Sequence, residues 1–331
     1  MKKMQKFISG LLALCLVLSM LPVQVFAAVS VKRIAGGSRY STCTAVADEL
    51  KAILGGGLFD SVVVASGADF PDALAGTYLA AVKKAPILLI ADTHIDMMVK
   101  YIDKNMADDG TIYILGSENS VSKTAEEALK TVGNVKRLGG KSRFITNLRI
   151  LEEVNTKTGE LLVVYSVAPW DALSVSSSGK PILLVNDKLR DDQKQYLATT
   201  SFDKITIIGS TAGVPDTMEA ELSAYCSNID RVYGKNRFMT SIEVAEYFYG
   251  TEKGSIVVAC GTNFPDGLCS GALAHAKKAP VILTDAGRES LVADYVTGYN
   301  IQGGYVIGSA KVVSDASVRK AFNMTEMDVI M

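Results

Sequence analysis

The pattern RIAGGSRYST at residues 33–42 recurs as RLGGKSRFIT at 137–146 and as RVYGKNRFMT at 231–240 in this chain of 331 residues. Each copy of this ten-residue pattern carries two arginines, the second followed by an aromatic residue, and ends in threonine. The copies stand roughly one hundred residues apart, which is the length of a compact module and too long for a solenoid turn. The repeat therefore decides the architecture.

Three further patterns follow each copy in a fixed order. They are an aromatic-Pro-Asp segment after an apolar run, an aliphatic run after a proline, and an apolar run ending in Gly-Ser. The second copy of the aromatic-Pro-Asp segment departs from the order and reads Pro-Trp-Asp. The three patterns read FPDAL (70–74), PILL (86–89) and YILGS (113–117) in the first unit, PWDAL (169–173), PILL (181–184) and TIIGS (206–210) in the second, and FPDGL (264–268), PVIL (280–283) and YVIGS (305–309) in the third. We therefore predict three modules, at 28–136, 137–230 and 231–331.

The apolar runs within each unit are short and continuous, which is typical of strands buried on both faces of a parallel sheet. Amphipathic helical patterns lie between them, so each unit is predicted to be an α/β module with a parallel sheet. No Pro-, Ser- or Gly-rich spacer separates the units, and we expect the modules to pack directly on one another. The strand that completes the third sheet is left open, because residues 32–35 and 328–331 both fit that place.

The first 27 residues have the composition of a secretory signal peptide: three early lysines, an apolar run at 7–21 and small residues before the expected cleavage after Ala27. Removing three lysines and no acidic residue takes the net charge from −1 to about −4. Such a charge excludes a globally basic nucleic-acid binder. No later apolar run is long enough to span a bilayer. We expect a secreted protein with no nucleic-acid partner and, after cleavage, no membrane partner.

Patterns that carry catalysis or metal binding are missing from the sequence. There is no Gly-x-Ser-x-Gly elbow, no complete phosphate-binding Gly-x-x-x-x-Gly-Lys-Ser/Thr loop and no His-Glu-x-x-His, and neither His94 nor His275 recurs in the repeat. The cysteines beyond the signal peptide match no zinc spacing, and we predict that they are buried free thiols. We therefore expect no enzyme, no metal and no cofactor. These cysteines are Cys43, Cys226, Cys260 and Cys269.

The four ordered patterns together resemble the cell-wall-binding repeat type 2 family of clostridial surface proteins, over essentially the whole chain after the signal peptide. The resemblance implies three Toprim-like α/β modules in a pseudo-threefold disc, which hold a surface protein non-covalently on an anionic secondary cell-wall polysaccharide. Many members carry a second, enzymatic or adhesive domain, which we do not expect here. The resemblance also implies that the aliphatic run of each module takes part in anchoring. Its residues are Ile87, Leu88 and Leu89, then Ile182, Leu183 and Leu184, then Val281, Ile282 and Leu283.

The second arginine of each ten-residue pattern follows a Ser or Asn that fits a helix N-cap. A cation in the first helical turn opposes the helix dipole, so three such arginines suggest a partner anion. That anion is either the Asp of the aromatic-Pro-Asp segment in the same unit or a phosphate group of the polymer, which suits the guanidinium fork. Both alternatives stay open. We call these residues the motif arginines: Arg39, Arg143 and Arg237.

Lysines precede the aliphatic run in every unit, as Lys83 and Lys84, Lys180, and Lys277 and Lys278. A lysine at a helix end is commonly a solvated side chain that complements the helix dipole. A chain of negative net charge also needs local basic clusters of this kind in order to attract a polyanion. We therefore include these lysines among the candidate polymer-binding residues.

The sequence as a whole is interpreted as that of a non-enzymatic cell-wall-binding protein at the cell surface. Three modules would contact a repeating anionic polysaccharide at several points, so that each weak contact raises the effective concentration for the next. The alternative is an S-layer-associated interaction protein that packs against neighbouring surface proteins. A polymer-modifying enzyme is the third and least favoured interpretation.

Overall fold

The computed structural model describes residues 29–250, 254–325, 328 and 330–331, so the predicted signal peptide lies outside the described residues. Within these ranges the strands form three four-stranded sheets, all of whose strand pairs are parallel. No helix in the described part of the chain combines the length and apolar composition that a membrane-spanning helix needs. The predicted class, three tandem α/β modules with parallel sheets in a pseudo-threefold arrangement, is confirmed.

Strands and helices alternate in the same order in each unit. The first unit contains β1 (Ser30–Ile34), α1 (Arg39–Ile53), β2 (Phe59–Ser66), α2 (Pro71–Ala75), α3 (Thr77–Lys83), β3 (Ile87–Ile90), a 3-10 turn (Asp92–His94), α4 (Ile95–Asn105), β4 (Met106–Leu115) and α5 (Lys123–Leu129). The second contains β5 (Asn134–Leu138), α6 (Arg143–Val154), β6 (Glu160–Tyr165), α7 (Trp170–Val175), β7 (Ile182–Val185), α8 (Asp191–Ala198), β8 (Lys204–Ile208) and α9 (Asp216–Leu222). The third contains β9 (Ile229–Val232), α10 (Arg237–Tyr249), β10 (Ser255–Cys260), a 3-10 turn (Pro265–Cys269), α11 (Ser270–Ala276), β11 (Val281–Thr284), α12 (Glu289–Gly298), β12 (Gly303–Ile307) and α13 (Asp315–Ala321).

The three sheets share one strand order: β3-β2-β4-β5, β7-β6-β8-β9 and β11-β10-β12-β1. The fourth strand of each sheet therefore comes from the beginning of the next sequence unit, and in the third module it is β1 from the beginning of the chain. This answers the question that the sequence left open. Ile330 adds an isolated parallel bridge to Val31, which is in β1.

The modules pack in the same cyclic order, and we call this closed arrangement of the three modules the ring. Helix α6 packs on α2 and α3 of the first module, α10 packs on α7 of the second, and α1 packs on α11 and the neighbouring 3-10 turn of the third. We call α3, α7 and α11 the axis helices, because Gly271 of α11 lies against both Ser176 and Thr77 of the other two modules. One hydrophobic core cluster contains buried side chains from all three modules. The described cysteines are free and buried within this packing, as predicted.

Candidate functional site

The carboxyl edge of each sheet is the place where the fold favours a binding site. In an open parallel sheet, connections run in opposite directions from the two central strands, and ligands bind in the crevice outside the carboxyl ends of these strands. In the first module these strands are β2 and β4. The aromatic-Pro-Asp segment follows β2, and the Gly-Ser turn follows β4. The ten-residue pattern of the second unit begins in β5, the strand next to β4, and continues beyond its end. The repeated patterns therefore converge on one edge.

An aspartate lies against the glycine of the Gly-Ser turn in each module. Gly116 has φ +98, and a Cβ built on it would lie 2.4 Å from Oδ2 of Asp72. Gly209 has φ +113, and its Cβ would lie 2.5 Å from Oδ2 of Asp171. Both the left-handed backbone and the close approach of the carboxylate require glycine here. Gly308 has the same conformation beside Asp266.

Burial sets the protonation of two of these aspartates. It raises the pKa of Asp72 to about 6, although a hydrogen bond with Ser120 and the charge of Arg143 act in the opposite direction. It also raises the pKa of Asp171 to about 6, against the charge of Arg237. In both cases the opposing arginine belongs to the following module. Asp72 and Asp171 are therefore carboxyl groups that exchange their protons at mildly acidic pH.

The motif arginines are the first residues of α1, α6 and α10, and a side-chain N-cap precedes each of them, as predicted. Each donates a hydrogen bond to the carbonyl group that follows the first central strand of its own module. The Nη1 to oxygen distances are 2.6 Å from Arg39 to Gly67, 2.6 Å from Arg143 to Ser166 and 3.1 Å from Arg237 to Gly261. All three side chains are partly exposed to solvent.

In the described part of the chain, the aspartates of the aromatic-Pro-Asp segments form no ion pair with these arginines. Within the described residues, no ion pair within 4.0 Å joins a motif arginine to Asp72, Asp171 or Asp266. Arg143 reaches Asp69 of the first module at 3.5 Å, and that carboxylate is largely exposed. The pairing with the same unit's aspartate, one of the two alternatives raised by the sequence, is therefore not what the structure contains.

Aromatic side chains from all three modules meet beside the motif arginines. The ring of Phe264 lies 5.5 Å from Phe70 and 6.4 Å from Trp170, both in edge-on geometry. The guanidinium of Arg143 lies 5.7 Å from the centre of the Phe70 ring, and that of Arg237 lies 4.2 Å from the centre of the Trp170 ring. Each of these arginines therefore contacts the preceding module, so this part of the site depends on the closed ring.

The candidate lysines lie at the opposite edge of the sheets. They immediately precede β3, β7 and β11, whereas the motif arginines follow β1, β5 and β9. Because all strands are parallel, the two sets are separated by the length of a four-residue strand, about 13 Å. Lys180 is also engaged, with its Nζ 3.0 Å from Glu160. The structure therefore does not bring the lysines and the arginines into one site.

The aliphatic run of each module is buried. All nine side chains of these runs are at most 2% exposed, since β3, β7 and β11 lie beneath helices. Asn147 of α6 accepts a hydrogen bond from the Leu184 amide and donates one to the Ile182 carbonyl, which ties the helix to the strand. A direct contact between these aliphatic side chains and a polymer would require the module to open.

Two sets of basic residues were not identified from the sequence. The first arginine of each pattern fixes the Gly-Ser turn: Arg137 donates to the carbonyls of Gly116 and Val121 and pairs with Glu126. Its recurrence at a fixed position was a signal that could have indicated this role. The second set, described below, stacks on the aromatic residues that follow the motif arginines.

Residues 33–126, 137–219 and 231–318 match the family Cell wall binding domain 2 (CWB2). The chain belongs to this family. Its structure is similar to that of Cwp6 from Clostridium difficile, with a TM-score of 0.79 and 23% identity over 91% of this chain and 49% of Cwp6. It is also similar to Cwp8 from the same organism, with a TM-score of 0.74 and 25% identity over 89% of this chain and 52% of Cwp8.

Two Bacillus subtilis (strain 168) proteins are related in sequence to this CWB2 chain. The N-acetylmuramoyl-L-alanine amidase LytC is 24% identical over 291 residues, which are 86% of this chain and 56% of the amidase. The amidase enhancer is 27% identical over 290 residues, 85% of this chain and 39% of that protein. The chain thus spans about half the length of the relatives it matches. Membership of the CWB2 family associates the chain with the cell wall at the cell surface.

Proposed function

We propose that this chain is a non-enzymatic anchor that binds an anionic secondary polysaccharide of the Gram-positive cell wall after secretion. The observation that carries the proposal is the threefold recurrence of a partly exposed arginine at the carboxyl edge. A guanidinium fork suits the phosphate groups of such a polymer.

The hydrogen bonds of the motif arginines favour binding. One nitrogen of each guanidinium is held by a loop carbonyl, which fixes the side chain and lowers the entropy lost when an anion binds. Arg39 and Arg237 have no ion pair within the described residues, so their remaining N–H groups are available.

Retention on the wall would come from the number of contacts. A repeating polymer presents many anionic groups, and the three modules present one motif arginine each. Once one arginine is engaged, the next binding event is intramolecular, and the combined affinity exceeds that of any single module by orders of magnitude.

We assign the lysines and the aliphatic runs lesser, indirect parts in this function. The exposed lysines at the opposite edge would add a general electrostatic attraction for the polyanion. The aliphatic runs would contribute by keeping the modules folded, so that the arginines stay in place.

The second candidate function is packing against neighbouring surface-layer proteins. It is favoured by an apolar cavity of about 340 Å³ between α1, α3 and α11, at the edge opposite the arginines. Leu54 lines this cavity and is 41% exposed. Apolar surface of this kind is a common feature of protein contacts.

Sedimentation with purified Gram-positive cell walls tests the proposal, with the secreted form of the chain and walls before and after acid extraction of their non-peptidoglycan polymer. We expect binding only to unextracted walls, with release as the salt concentration rises, because exposed charge contacts are screened. Equal binding to both kinds of wall would contradict the proposal. Binding that resists salt and requires surface-layer protein would support the second candidate, and shortening of the polymer would support an enzyme.

A further inference from the structure

The aromatic residue that follows each motif arginine is covered by a second basic side chain. The imidazole of His94 stacks on Tyr40 with ring centres 4.0 Å apart. The guanidinium of Arg190 lies 5.3 Å from the centre of the Phe144 ring. That of Arg288 lies 5.8 Å from the centre of the Phe238 ring. The arrangement occurs in all three modules.

These three residues come from equivalent places in the fold. Each lies in the segment that joins the aliphatic strand to the next helix, so each lies at the carboxyl edge. His94 ends a 3-10 turn, whereas Arg190 and Arg288 directly precede α8 and α12. The surrounding sequences differ, and for this reason the repeat is not visible without the structure.

In the first and third modules, the aromatic ring beneath the second basic residue lies against the loop residue that accepts a hydrogen bond from the motif arginine. In the first module Arg39 donates to the carbonyl of Gly67, and a Cβ on Gly67 would lie 2.4 Å from the ring of Tyr40. In the third module a Cβ on Gly261, which accepts from Arg237, would lie 2.2 Å from the Phe238 ring. In these two modules the loop residue thus contacts the aromatic ring on which the second basic side chain stacks, and it accepts a hydrogen bond from the motif arginine.

We propose that His94, Arg190 and Arg288 are the second anion-binding side chain of each module and bind phosphate groups of the same polymer segment as the motif arginine. This inference rests on the proposed function and extends it from one basic residue per module to two. The stacked ring restricts each basic side chain. Arg190 also donates hydrogen bonds to Asp192, and Nδ1 of His94 lies 2.8 Å from the Thr93 hydroxyl, so a phosphate would compete with these partners. Phosphate is the anion that fits two such donors.

The three modules should then contribute unequally. Arg288 is exposed and forms no ion pair within the described part of the chain. Arg190 is partly neutralised by Asp192, whose Oδ1 lies 3.2 Å from its Nε. The imidazole of His94 presents fewer N–H donors than the guanidinium of the other two modules. Module 3 should therefore bind most strongly and module 1 most weakly.

Single substitutions test this order in the wall-sedimentation assay at low salt and pH 7. Arg288→Gln should weaken binding about three- to tenfold, as expected for one lost charge-assisted contact, and Arg190→Gln should weaken it less. His94→Arg should strengthen binding about threefold, because it adds a fixed charge where the other modules have one. Lys104→Gln, which removes an exposed charge at the end of α4, should leave binding unchanged.

Thermal unfolding and the conservative variant Arg288→Lys separate binding from folding. Arg288→Gln should unfold like the unsubstituted chain, and Arg288→Lys should keep most of the affinity. If the unsubstituted chain binds walls and both Arg288→Gln and His94→Arg bind them with the same affinity, this inference is overturned and the proposed function still stands. No binding by the unsubstituted chain would instead overturn the proposed function.

Discussion

Arg237 lies over the ring of Trp170, with its guanidinium carbon 4.2 Å from the ring centre. The two residues belong to different modules, and Trp170 is the only tryptophan of the chain. A candidate binding residue of module 3 is therefore positioned by module 2, as Arg143 of module 2 is positioned beside Phe70 of module 1. These two contacts are features of the assembled ring and not of a single module.

Closure of the ring should depend on β1. Val31 is fully buried, and β1 is the fourth strand of the third sheet. Val31→Asp would place a charge in the core and should lower the free energy of unfolding by about 3 kcal/mol or more. Hydrogen exchange should accelerate first in β12, its partner strand. Exchange that accelerates in β4 but leaves β12 protected would contradict this account.

Stability should depend on pH through the buried aspartates. Burial raises the pKa of Asp171 from 3.8 to about 6, so between these values the folded chain keeps a proton that the unfolded chain has lost. The free energy of unfolding should therefore fall as pH rises from about 4 to about 7, by about 2 to 3 kcal/mol for this group. Denaturant unfolding across this range measures the effect.

Asp171→Asn should reduce that pH dependence, since an amide stays neutral. Asp216→Asn is the matched control, because it changes a carboxylate that is 83% exposed. It should leave the slope of the unfolding free energy against pH unchanged. A slope in Asp171→Asn equal to that of the unsubstituted chain would show that this carboxyl does not hold a proton in the folded state.

The glycine of the Gly-Ser turn should not tolerate a side chain. In Gly209→Ala the new Cβ would meet the Asp171 carboxylate at 2.5 Å in a backbone conformation with φ +113. We expect a loss of about 1 to 3 kcal/mol in the free energy of unfolding. Gly213→Ala, in the same turn, has its nearest neighbour at 3.4 Å and should be nearly neutral. Equal stability of the two variants would contradict this explanation.

The aliphatic runs should affect wall binding only through folding. Leu88 is fully buried, and Leu88→Ala should cost about 2 to 5 kcal/mol of unfolding free energy. Binding should be lost in proportion to the unfolded fraction and should return at a lower temperature where the variant is folded. A Leu88→Ala chain with a native thermal transition that still fails to bind walls would show a direct role instead.

The sequence was sufficient to predict the three α/β modules, their parallel sheets and the N-caps of the helices that carry the motif arginines. Short buried runs and capping residues are local signals, and a threefold repeat reinforces each of them. The burial of the aliphatic runs followed from the same local pattern.

The sequence could not predict how the modules share their elements. That β1 completes the third sheet, that Arg143 faces Asp69 of another module and that the lysines lie at the opposite edge all depend on contacts between distant residues. The basic residues stacked on the aromatic rings were missed because His94 and Arg190 differ in type and in local sequence, although they occupy equivalent places.

The central claim is that the partly exposed arginines at the carboxyl edge bind the polymer. Its most direct test is the affinity for unextracted walls of Arg39→Gln/Arg143→Gln/Arg237→Gln, compared with Lys83→Gln/Lys84→Gln/Lys277→Gln/Lys278→Gln, with thermal unfolding to confirm that both are folded. The account predicts that the arginine variant loses binding about a hundredfold or more, as multivalent contacts are lost together, and that the lysine variant keeps most of it. A folded arginine variant that binds as tightly as the unsubstituted chain, or a greater loss in the lysine variant, would contradict it.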